Sequence, residues 1–70
     1  MMLSDHYSID AQIKCVQREI EMRERVYPPR VTSGRMNEHH ARHEITCMKA
    51  VLQTLISALA DAPIKLSRGR

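Results

Sequence analysis

Tyr27-Pro28-Pro29-Arg30-Val31-Thr32-Ser33-Gly34 divides a 70-residue chain into two amphipathic halves, and the reading of this stretch decides the fold. A proline disfavours helical geometry in the residue before it and has no backbone donor of its own, so Pro28 and Pro29 predict the end of a helix near Tyr27. Gly34 tolerates a positive φ, and Ser33 or Asn37 offers a cap for a second helix. The expectation is a loop over residues 28–37, of a length that returns a chain on itself.

Upstream, Ser8 is a good N-cap and Asp10 suits the positive end of a helix dipole, so the first helix is expected over about residues 8–27. Its apolar stripe is Ile9, Ile13, Val16 and Ile20, and the same spacing then meets Arg23 and Tyr27. Acid-then-base pairs four apart, Asp10 with Lys14, Glu19 with Arg23 and Glu21 with Arg25, each add roughly 0.2–0.5 kcal/mol to an exposed helix. Residues 1–7 read as a flexible lead-in.

Downstream, Asn37 caps a second helix expected over about residues 38–61. Its stripe, Ala41, Ile45, Met48, Leu52, Leu55 and Leu59, is the most regular pattern in the chain. Asp61, Ala62 and Pro63 are expected to end it, leaving residues 63–70 as a loose basic tail.

Folded antiparallel, the two stripes match. Ile20 meets Ile45, Val16 meets Met48, Ile13 meets Leu52 and Ile9 meets Leu55. Arg23 falls opposite Ala41 and is expected to lay its stem over the seam with its head toward Glu19, Glu38 or Glu44. A second apolar stripe, Cys15, Met22 and Val26 with Cys47, Val51 and Ala58, emerges on one side of the pair. The other flank carries Asp10, Gln17 and Glu24 against Arg42, Lys49 and Ile56, with Glu24 and Arg42 as a plausible bridge. The fold class is therefore all-α, a two-helix hairpin. One layer of side chains is thin support for a domain, so dimerisation into a four-helix bundle through the second stripe is expected. Glu19 and Glu44 sit on that flank, and burying either without a cationic partner would be costly.

Composition excludes several classes. Two cysteines build no disulfide scaffold, and no paired C-x-x-C spacing marks a zinc site. No apolar run approaches a membrane span, and the first residues have neither the basic nor the apolar segment of a secretory signal, so a cytoplasmic protein is expected. With Tyr7 and Tyr27 as its aromatics, the chain lacks base-stacking platforms. The net charge of +3 is spread among eight acids, which describes a balanced helix surface at least as well as a nucleic-acid footprint.

Candidate sites are few. His39 and His43 share a helix face and would need a third ligand such as His6 to clamp a metal, but Arg42 lies between them and no other segment supplies a secured ligand. Cys15 and Cys47 read as small apolar residues of the second stripe rather than a disulfide. No serine, histidine and acid arrangement, glycine-rich phosphate loop or converging carboxylate pair is visible, which points away from an enzyme and to no cofactor. Arg25, Arg30 and Arg35 make a basic edge at the loop end, with Lys65, Arg68 and Arg70 as a second basic group. Tyr27 beside the prolines is either a residue that caps the core or a binding hot spot.

The run Ile13 to Ile20, with Met22-Arg23, Val26-Tyr27-Pro28, Val31, Ser33-Gly34-Arg35-Met36, His43-Glu44-Ile45, Met48, Ala50-Val51-Leu52 and Thr54-Leu55, resembles a family of small uncharacterised phage and prophage proteins of the helical-hairpin type. In that family's pattern an aromatic often stands where this chain has Arg30, and His39 and His40 lie outside it. The resemblance implies expression from a phage genome inside a bacterium. The function expected from it is non-enzymatic: a homodimeric module that binds and modulates a host protein, of the anti-CRISPR or other anti-host inhibitor type, using Tyr27, Arg30 and Arg35 at the loop end. The alternatives are a nucleic-acid-associated accessory factor and a small virion or packaging component. Neither a nucleic-acid nor a membrane partner is expected.

Overall fold

A computed structural model describes the backbone of residues 7–68 and the side chains of residues 7–61. Two helices, α1 (Ile9–Thr32) and α2 (Glu38–Arg68), pack against each other as an antiparallel hairpin, with no strand among the described residues. The start of α1 is as the sequence predicts: Ser8 is the N-cap, and its Oγ accepts a hydrogen bond from the Ala11 amide at 3.0 Å.

The prolines do not end α1. The helix continues through Pro28 and Pro29 to Thr32, and the connection shrinks from the expected residues 28–37 to residues 33–37. A proline inside a helix deletes one backbone bond and crowds the preceding turn, at a cost of about 3 kcal/mol. Here both rings are exposed, so the carbonyls of Glu24 and Arg25 that lose their helical donors lie where water can reach them. The turn beyond them is secured on both sides. Tyr27 and Val31 are half-buried against α2, and the helix closes in a Schellman motif. The Gly34 amide donates to the Val31 carbonyl at 3.1 Å and the Arg35 amide to the Arg30 carbonyl at 2.8 Å. Gly34 takes the required left-handed conformation, with φ of 81°. Packing and capping together override the local preference of the two prolines.

Asn37 caps α2 as expected. Its Oδ1 accepts from the His39 amide at 2.7 Å and the His40 amide at 3.2 Å. At the other end α2 also outruns the expectation: it passes Asp61, Ala62 and Pro63 and reaches Arg68, so the backbone of most of the expected basic tail is helical. Residues 1–6 of the expected lead-in, the side chains of Lys65 and Arg68, and Arg70 lie outside the described residues.

The seam follows the stripe as far as Leu55; Leu59, which the sequence places in it, is 40% exposed. Ile13, Ile20 and Ala41 are buried, and Ile9, Val16, Ile45, Met48, Leu52 and Leu55 are half-buried. Among the described residues no side chain is completely enclosed, as befits a single layer. The molecule measures 56 × 29 × 14 Å, and its shortest dimension is little more than one helix diameter. Its radius of gyration is 16.3 Å. A compact chain of this length would have about 11 Å.

Candidate functional site: the Arg23 clamp and the loop-end groove

Where the apolar stripe of α1 gives way to arginine, the hairpin gains its main polar connection. Arg23 sits between Glu19, one turn back on the same helix, and Glu44 on α2. Its Nε donates to Glu19 Oε2 at 2.8 Å, and its Nη1 donates to the Glu44 main-chain carbonyl at 3.0 Å. The same Nη1 lies 3.6 Å from Glu44 Oε1. The guanidinium carbon stands 6.0 Å from the centre of the Tyr27 ring, within cation–π range. The Arg23 side chain is 20% exposed, the least of any charged group in an ion pair here. The hydrogen bond it donates to Glu19 raises its pKa above the ordinary arginine value, against the opposing effect of partial burial and with smaller help from Tyr27 and Glu44.

This geometry meets the sequence expectation for two of the three acids named, Glu19 and Glu44. Glu38 goes elsewhere, to Arg42 at 3.2 Å. Both acids of the second-stripe flank, Glu19 and Glu44, are engaged by one arginine. The expected bridge between Glu24 and Arg42 is replaced: Glu24 pairs with Lys49 at 3.0 Å. Asp10 and Lys14 lie 3.7 Å apart as predicted, whereas Glu21 and Arg25 form no bridge among the described residues.

Beside Tyr27, on the polar flank, the two helices diverge into an open groove of about 470 Å³. Tyr27, Pro28, Val31, Ala41 and Ile45 give it an apolar floor, and Thr32, Glu38, Arg42, Thr46 and Lys49 form its rim. The groove exists because α1 is helical beyond the prolines. That continuation places Val31 one turn after Tyr27, on the side facing α2. The sequence reading stopped the helix at Tyr27 and so missed the groove, although Val31 continues the apolar spacing and was the signal available.

The predicted loop-end residues are only partly brought together. Tyr27 is half-buried and serves both the clamp and the groove. Arg30 and Arg35 are exposed, linked through the backbone bond that closes the Schellman motif, and neither lines the groove. Arg30 also holds the turn with its carbonyl, which accepts from Ser33 Oγ at 3.1 Å. Of the second stripe, Met22, Val26 and Ala58 are half-buried, while Cys15, Cys47 and Val51 are exposed. Both cysteines are free thiols. His39, His40 and His43 are exposed, and among the described residues no group of three or more potential ligands is placed to hold a metal; His6 lies outside them. No helix among the described residues is long and apolar enough to cross a membrane.

In comparisons with known proteins the chain matches no family model, no curated protein and no solved structure.

Proposed function

We propose that this chain is a non-enzymatic, phage-type accessory protein that acts in the cytoplasm of a host bacterium, where it binds a host protein and modulates or inhibits it, as anti-CRISPR and other anti-host inhibitors do. In this reading two hairpins stack as a four-helix bundle and present their loop ends. The observation that carries it is the groove at the loop end. An apolar floor of Tyr27, Val31, Ala41 and Ile45 inside a polar rim suits an apolar side chain inserted by a protein partner. The rim charges are paired, Arg42 with Glu38 and Lys49 with Glu24, so the groove offers shape and apolar surface rather than a reactive group. Arg30 and Arg35 stand exposed at the same end and would supply the polar margin of such a contact. The resemblance to small phage proteins supplies the cellular setting.

A nucleic-acid role is the second reading, favoured by the exposure of Arg30 and Arg35, neither of which has an ion-pair partner among the described residues. One experiment separates the two. The tagged full chain is used to capture partners from bacterial lysate with and without nuclease. The proposal expects one host protein retained in stoichiometric amount after nuclease, and lost with Tyr27→Ala. Loss of every partner on nuclease treatment favours the nucleic-acid reading, and co-purification with phage particles favours a virion component.

A further inference from the structure

Among the described residues, the four large apolar side chains left most exposed all lie in the half of the hairpin away from the loop. Tyr7 is 66% exposed, and Val51, Ile56 and Leu59 are each 40% exposed. The cause is a difference in helix length: α1 has 24 residues and α2 has 31. In the register read from Arg23 and Glu44, the first residue of α1, Ile9, lies near Ala58, so the rest of α2 projects about 15 Å past its partner at 1.5 Å per residue. Around the start of this overhang Ile56, Leu59, Leu55, Val51 and Ala58 spread apolar surface over about 160° of the helix circumference at 100° per residue. A single facing helix covers only part of such an arc.

What this end lacks is a second layer: no side chain among the described residues is completely enclosed, and a two-helix layer needs another layer on its apolar face. The charge pattern says where along the flank the contact falls. Glu19, Arg23 and Glu44 together carry one surplus negative charge, and a twofold axis over them would bring two such clusters together. The open end, by contrast, presents Val51, Ala58 and Leu59 without an acid between them.

We infer that a second copy of this chain packs at the open end, each α2 overhang supplying the layer the other lacks, with Val51, Ile56, Ala58 and Leu59 at the contact and the Arg23 cluster at its edge. This narrows the bundle in the proposed function, on which it rests for the role of the loop end: Met22 and Val26, on the far side of the cluster, stay outside the self-contact. Tyr27 and the groove remain free in both subunits.

The test is the sedimentation-derived mass of the full chain at tens of micromolar, with helicity followed by circular dichroism. Wild type is expected to sediment as a dimer. Leu59→Glu and Ile56→Glu are expected to halve the mass with helicity retained, and Met22→Glu to leave the dimer intact. Where Leu59→Glu lowers helicity, Val51→Lys, at a more peripheral position, gives the same reading. A monomeric wild type overturns the inference, including the case in which deletion of residues 1–6 makes the chain associate, since the chain's own first segment would then be the cover. A dimer lost in Met22→Glu and kept in Leu59→Glu overturns it as well, by moving the contact to the loop half. Partner capture, measured separately on the Leu59→Glu monomer, keeps this outcome distinct from that of the proposed function.

Discussion

Arg23 on α1 donates a 3.0 Å hydrogen bond to the main-chain carbonyl of Glu44 on α2, and this is the polar contact that fixes the register of the hairpin. A carbonyl inside a helix already accepts from its own ladder, so the guanidinium uses its second lone pair. The bond therefore adds to α2 without competing with it. Among the described residues, the ion pairs that do not involve Arg23 lie on much more exposed side chains, where such pairs contribute little.

Replacing Arg23 with alanine is expected to destabilise the hairpin by roughly 1–3 kcal/mol, from the lost charged hydrogen bonds and the uncovered stem. Thermal denaturation followed at 222 nm measures it. Lysine should recover little of the loss, because a single ammonium cannot reach Glu19 Oε2 and the Glu44 carbonyl in the same fork. The arginine's proton is held more tightly in the folded state, so its contribution is present below the unfolded value and fades only as pH rises through the arginine range. The gap between wild type and Arg23→Ala should accordingly be the same at neutral and at mildly alkaline pH.

Pro28→Ala and Pro29→Ala are expected to stabilise the protein, each by about 1 kcal/mol or more, and to raise its helical signal. Both rings are exposed, Pro28 lining the open groove and Pro29 outside it, so alanine loses little packing, and it restores a backbone donor within α1. Urea denaturation checks the sign. Were the segment a loop, the same changes would be neutral or destabilising through the unfolded chain.

Gly34→Ala is expected to cost roughly 1–2 kcal/mol although the added methyl group meets open space. The penalty is backbone strain alone, at φ of 81°, and Gly34→Asn should recover part of it.

Much of the hairpin was legible. The stripes from Ile9 to Ile20 and from Ala41 to Leu59 named the seam in all but its last residue, because a spacing of four and three admits only one buried face, and Leu59 is left exposed. Ser8 and Asn37 named the helix starts by their chemistry. Arg23 stood out as the break in the stripe, and of the three acids its length and charge put within reach it meets two, Glu19 and Glu44. The end of α1 was misread because a proline's local preference is visible in sequence, whereas the packing of Tyr27 and Val31 that overrides it depends on α2. The groove was lost with it. Gly34 was recognised as a site for positive φ, but its place as the residue closing a helix followed only once α1 was seen to reach Thr32. The length of α2 was underestimated because Pro63, like Pro28, reads as a helix stop, whereas the backbone is helical to Arg68.

In the proposed function the two ends of the hairpin do different work, with the groove beside Tyr27 for the target and the open end around Leu59 for the second copy. Quantitative capture of the host protein from nuclease-treated lysate by three tagged forms tests this division most directly. Wild type and Leu59→Glu are expected to retain it in stoichiometric amount, and Tyr27→Ala to lose it with helicity unchanged. Capture that survives in Tyr27→Ala and disappears in Leu59→Glu would contradict the account, placing the target on the open end instead.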